Sequence, residues 1–171
     1  MRLFLAAAFI VLILAPSAGA VEYVTGSFIE YGTDYRLETT VTMDSGSLTD
    51  AGCRTVTVKF VKTNGGPGPL SNDLYKIFQR RGWCWNAAHT KVTSTYNYAR
   101  WKECCDPGWQ WVAWEPTIST GTAGANYTLT RRIEGHTKFC GPVIGCVDHD
   151  YPWIKLYING NGSYGVLKGA G

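Results

Sequence analysis

Any catalysis or metal binding by this chain would have to be built from three histidines, a scatter of carboxylates and six cysteines. The densest cluster is Asp148-His149-Asp150, just after Cys146; His89 and His136 are the other imidazoles. Side chains alternate along a strand, so on a strand Asp148 and Asp150 share one face and His149 takes the other, which excludes a simple three-ligand metal site. In a loop, two carboxylates fall well short of the oxygen ligands that calcium takes. The cluster reads as a solvated loop with an Asp turn, and no metal or cofactor is expected. A glycosidase needs two opposed carboxylates; Glu103, Asp106, Glu115, Glu134, Asp148 and Asp150 are available, but no spacing selects a pair. Ser-His-Asp or Cys-His partners meet in space rather than along the chain. No Gly-x-Ser-x-Gly elbow occurs, however, and the cysteines are expected to be oxidised. No catalytic residue is assigned.

Binding chemistry is concentrated at 83–114, which holds six of the seven tryptophans. Trp83 and Trp85 flank Cys84; Arg100-Trp101-Lys102 follows, and then Trp109-Gln110-Trp111-Val112-Ala113-Trp114. Alternation places Trp109, Trp111 and Ala113 on one face and Trp114 on the other, so a regular strand cannot send all three indoles into one core. Trp83 and Trp85 share a face opposite Cys84. If Cys84 points inward, the indole pair points out; if the pair is core, the disulfide lies on the surface. Exposed indoles on a flat sheet stack against the C–H faces of sugars, and Arg80, Arg81, Arg100 and Lys102 suit an anionic polymer or cover the rings by cation–π contact. The alternative is that most of these tryptophans are core. The candidate ligand-binding set is Trp83, Trp85, Arg100, Trp101, Lys102, Trp109, Trp111 and Trp114.

The elements that must position these residues are strands. Tyr35, Leu37, Thr39, Val41 and Met43 alternate with polar residues, as do Val56, Val58 and Phe60. Further strand patterns cover 24–31, 74–85, 91–98, 109–114, 127–134, 137–140 and 153–158, separated by Gly, Pro, Asn, Asp and Ser. No length of the exported chain has helical periodicity. The expectation is all-β: a single antiparallel β-sandwich, immunoglobulin-like in general architecture and stapled by disulfides, with a fraying tail at 168–171. Residues 1–20, with Arg2, an apolar run and a small-residue ending at Ala20, read as a helical signal peptide. Residues 21–171 are then one secreted domain, with no membrane span after cleavage. The formal charge of +3, which falls when Arg2 is removed, does not imply nucleic acid.

Six cysteines in an exported chain imply disulfides. Folding the chain about the turn-rich tract 64–73 sets Cys53 opposite Cys84. Strict pairing then puts Lys59 beside Phe78, and a bulge near Arg80-Arg81-Gly82 is expected to repair it. Cys140 and Cys146 close a short Gly/Pro loop. For Cys104 and Cys105 three alternatives are open: they bond each other, bridge two chains, or take partners among the other four. Asn126 and Asn161 match the glycosylation pattern, the second within the hairpin-turn sequence Asn159-Gly160-Asn161-Gly162.

Gly52-Cys53-Arg54-Thr55-Val56-Thr57-Val58, Trp83-Cys84-Trp85, Gly135-His136 with Cys140 to Cys146, and Tyr151-Pro152-Trp153-Ile154 resemble a group of small secreted proteins of high-GC Gram-positive bacteria, over about 52–165. The resemblance implies Cys53–Cys84 and Cys140–Cys146 pairs. The group has no assigned function, so no residue role carries over, and Cys104-Cys105 departs from its pattern. The reading that follows is a secreted, non-enzymatic protein that binds a cell-surface or cell-wall glycan or protein through the aromatic and basic stretch 80–114. The alternatives are a secreted hydrolase of extracellular polymers and a toxin or inhibitor acting on another protein. The sequence does not indicate an oligomeric state.

Overall fold

The alternating residues become strands because each strand has one apolar side to bury and one polar side to solvate. The computed structural model describes residues 25–46, 51–65 and 72–170. Residues 1–20, expected as a signal peptide, and most of the turn-rich tract lie outside the described residues. In chain order the strands are β1 (Gly26–Tyr31), β2 (Tyr35–Gly46), β3 (Gly52–Thr63), β4 (Asp73–Trp85), β5 (Val92–Cys104), β6 (Trp109–Trp114), β7 (Ile118–Thr120), β8 (Thr128–Gly141), β9 (Gly145–Asp150), β10 (Trp153–Asn159) and β11 (Tyr164–Gly169). Among the described residues there is no helix.

Strands β1 to β5 form a five-stranded antiparallel meander in sequence order. The second sheet, in the order β11-β10-β8-β6, is built around the 14-residue β8. One edge of β8 carries β6 and then β7; the other carries β9 and then β10. Proline interrupts each flanking pair, Pro116 between β6 and β7 and Pro152 between β9 and β10, because it has no N–H for the ladder. Two facing antiparallel sheets make the fold sandwich-like, but a meander packed on a sheet centred on one strand is not the Greek-key connection of immunoglobulin domains.

One core joins the sheets. Leu37, Val41, Val56, Val58, Phe60 and Ile77 from the meander cluster with Leu129, Ile133, Ile154, Leu156 and Ile158 from the second sheet. Several expectations need correction. Residues 127–134 and 137–140 are one strand. The segment expected to stop at 98 runs to Cys104, because its outer half pairs with β4 as far as Tyr75. Asp148-His149-Asp150 is not a loop: it ends β9, with Asp150 turned inward to accept a hydrogen bond from the Tyr75 hydroxyl. The tail does not fray through Gly169, which pairs with Trp153.

Cys53 pairs with Cys84 across β3 and β4, Cys140 with Cys146 across β8 and β9, and Cys104 with Cys105. The β3–β4 register places Lys59 opposite Phe78 without the expected bulge. Lys59 tolerates this position because its ammonium lies 5.9 Å from the Phe78 ring centroid and 3.0 Å from Glu38. The irregularity near Arg80–Gly82 belongs to the β4–β5 pairing instead.

Candidate functional site

The outward side chains of the meander form rows across the sheet. One row runs Glu38, Lys59, Phe78 and Trp101; the next runs Thr40, Thr57, Arg80 and Ala99; a third runs Thr42, Thr55, Gly82 and Tyr96. Thr40, Thr57 and Arg80 of the second row and Thr42 and Thr55 of the third, with Asp44 and Asn97, line a shallow depression of about 300 Å³. Asn97 reaches it from the irregular β4–β5 register, at a positive φ of 48° that Asn tolerates better than most residues.

Hydroxyls converge on Asp44. Thr55 Oγ1 donates to Oδ2 at 2.6 Å, Thr42 Oγ1 donates to Oδ1 at 3.2 Å, and the Tyr96 hydroxyl donates as well. Burial and the Asp44 carboxylate push the Tyr96 phenol up to about 12, so it remains a donor at neutral pH. The Tyr96 ring lies over Gly82, where a Cβ would stand 2.4 Å from a ring carbon. On the other side Arg80 donates from Nε to Thr57 Oγ1 at 3.2 Å, and its guanidinium carbon lies 5.4 Å from the Trp101 ring centroid. Among the described residues no carboxylate pairs with Arg80. Trp101 stacks on Phe78 with ring centroids 4.7 Å apart and planes 10° apart, and stays partly exposed.

A second hollow of about 380 Å³ lies at the end of the sheet, lined by Asp73, Lys76, Glu103 and the Cys104–Cys105 pair among others. Asp73, Lys76 and Glu103 are ion-paired there. Arg36 binds Asp73 at 3.1 Å, and Lys76 lies 3.3 Å from Asp73 and 3.4 Å from Glu103.

The rest of the sequence-derived binding set has other work. Trp83 and Trp85 are buried in the core, 0% and 1% exposed. Of the two arrangements open to them, the protein adopts the one with indoles inside and the Cys53–Cys84 disulfide on the outer face. Trp109 packs between Tyr75 and Phe139, at ring-centroid distances of 5.3 and 5.8 Å. The opposite-face expectation for Trp114 is overturned by a register shift between Trp111 and Ala113. That extra residue turns Trp114 back beside Trp111, edge to face at 4.7 Å.

Arg100 and Lys102 point to the inner side of β5 and close the seam between the sheets. The Arg100 guanidinium carbon lies 4.9 Å from the Trp114 ring centroid, and Lys102 Nζ lies 4.5 Å from that of Trp111. Desolvation lowers the Lys102 ammonium pKa. Arg100 also donates to the Glu115 carbonyl at 3.2 Å and to Thr117 Oγ1 at 2.9 Å. Farther along the seam Arg131 lies over Tyr98. Nearby Arg81 is buried, and burial together with the Arg131 charge lowers its pKa to about 10.

Of the eight residues expected to bind ligand, the fold leaves only Trp101 on the outer sheet face. The polar halves of β2 and β3, Thr40, Thr42, Asp44, Thr55 and Thr57, were legible only as a solvent-facing side. Their sequence signal was an unusual density of Thr at alternate positions. No family model matches this chain, and no curated protein or solved structure matches it either.

Proposed function

We propose that this is a secreted, non-catalytic binding module whose ligand, a cell-surface or cell-wall glycan, lies on the outer face of the meander. The observation that carries the reading is the depression of about 300 Å³ bounded by Asp44, Arg80 and Asn97 beside the Trp101 ring. Acceptors and donors fixed in one sheet match sugar hydroxyls, and a neighbouring aromatic ring offers a surface for sugar C–H groups. Three disulfides are compatible with the oxidising compartment this role requires.

The test is titration of the mature chain with a panel of wall and plant polysaccharides, followed by calorimetry and Trp fluorescence. Binding by one class of polysaccharide that falls roughly tenfold or more, about 1.4 kcal/mol, in Trp101→Ala and Arg80→Ala supports the proposal. A panel with no binder, or a binder indifferent to both substitutions, sinks it.

One observation favours a protein partner as a second reading. The hairpin tip closed by Cys140–Cys146 exposes Val143 at 93% and Ile144 at 60%, and Val147 just past the disulfide is exposed at 60%, an apolar feature suited to a pocket on another protein.

A further inference from the structure

We infer that His136 and His149 form a binding site for a divalent transition-metal ion of the copper, nickel or zinc class. His136 stands on β8 and His149 on the adjoining β9, where its register partner is Lys138, two residues from His136. The two imidazoles therefore leave the same outer face of the second sheet. His136 Nε2 lies 2.7 Å from His149 Nδ1. At that separation one nitrogen carries the proton and the other offers its lone pair. A cation that replaces this shared proton is bound by both rings.

The geometry needs little adjustment. With metal–nitrogen bonds of about 2.0–2.1 Å, two imidazole nitrogens on one ion stand about 3 Å apart. The pair must open by a few tenths of an ångström, and the exposed His149 is the ring placed to turn. His136 is held on its other side by Tyr151, stacked at 4.5 Å with planes 17° apart. One ligand is thus fixed and the second adaptable.

The donor set selects the ion. Imidazole suits copper, nickel and zinc, whereas calcium and magnesium need oxygen. Asp150 is turned inward to Tyr75, and Asp148 shares its side of the strand, away from His149. Among the described residues no group of three or more His, Cys, Asp or Glu is placed to hold an ion. The site therefore supplies two protein ligands and leaves the other coordination positions to water or to a donor from a bound molecule. Lys138, beside His149, opposes any cation. With so few ligands, intrinsic metal preference decides the order, and Cu(II) binds more tightly than Ni(II) or Zn(II).

The experiment titrates the mature chain with Cu(II) in a non-coordinating buffer, by calorimetry and electron paramagnetic resonance. One Cu(II) per chain with two nitrogen donors is expected. His136→Gln and His149→Gln should each weaken binding at least tenfold and leave one nitrogen donor, while His89→Gln changes nothing; circular dichroism confirms that the variants keep their strands. On the unsubstituted chain, Zn(II) should move the NMR resonances of the His136 and His149 rings and not those of His89. Absence of Cu(II) binding, affinity that survives either substitution, or Zn(II) shifts confined to His89 would overturn the inference.

Discussion

The indole N–H of Trp83 donates to the backbone carbonyl of Asn159 at 3.1 Å, tying the end of β4 to the end of β10, where the chain turns into β11. Arg54 reinforces the tie with a hydrogen bond to the Gly162 carbonyl at 2.8 Å. The Trp85 ring lies against Gly162, whose φ of +81° suits glycine and whose missing side chain leaves room for the ring. A buried indole here satisfies both of its needs, apolar surroundings and a partner for its N–H.

Trp83→Ala should therefore destabilise the protein by about 3–5 kcal/mol, the range for emptying a large aromatic site. Trp83→Phe keeps much of the volume but removes one of the two donors to the Asn159 carbonyl, which keeps the Gly162 N–H at 3.0 Å, a loss of about 1 kcal/mol from the hydrogen bond plus a smaller packing loss. Urea unfolding measures both; equal losses would show that the hydrogen bond carries nothing of its own.

The seam between the sheets predicts a pairwise coupling. A double-mutant cycle with Lys102→Met and Trp111→Leu should give an interaction energy of about 0.5–1 kcal/mol, the worth of a cation–π contact near the surface. Arg100→Met should cost more than Lys102→Met, since it also removes the bonds to Glu115 and Thr117. A coupling of zero would mean that the lysine only covers the ring.

Gly82→Ala tests the candidate site from beneath. The added methyl meets the Tyr96 ring at 2.4 Å, so the ring must lift and its hydroxyl must leave Asp44. Overpacking of this kind costs about 1–3 kcal/mol. The Tyr96 phenol should then titrate below its present value of about 12, as ultraviolet absorbance would show. An unchanged titration would mean that the ring had not moved.

Acid should loosen the molecule through three carboxylates. Burial alone would raise Glu30, Glu38 and Asp73, but bonds from Lys168 and Tyr35, from Arg36 and Lys59, and from Arg36 and Lys76 respectively more than offset it. Their folded pKa values lie below 4.5, 4.5 and 3.8. Their stabilisation is present above about pH 4.5 and is lost as pH falls through the depressed folded values. The Tm should drop between pH 5 and pH 3, less steeply in Glu38→Gln. A flat profile in low salt would contradict the ion-pair account.

The disulfides should rank by the loop each closes. Cys53 and Cys84 are 31 residues apart, and Cys140 and Cys146 are 6 apart. In the chain-entropy model the first is worth about 3–4 kcal/mol and the second about 2 kcal/mol. Replacing each pair with alanine and comparing chemical denaturation midpoints checks the order.

The sequence by itself determined the strand-rich character of the chain and the inward set of β2 and β3, and it pointed to two cysteine pairs. These follow from a period of two and from a hairpin folded about its turn, both local to neighbouring strands. It did not reveal β7, β9 or β11, which are short and are set by pairing with β8 and β10. Only the tertiary structure decided which aromatic residues face solvent. Trp83 and Cys84 alternate whichever side is core, and the choice was made by the second sheet, which brings Asn159 and Gly162 over the indoles. The face of Trp114 depended on one inserted residue in its pairing with β8. The outer-face site is a relation between rows of different strands, Asp44 beside Tyr96 and Arg80 beside Trp101, and such rows exist only once register is fixed. The His136–His149 pair arises in the same way: 13 residues apart in the chain, they meet because the disulfide-closed hairpin sets β9 beside β8.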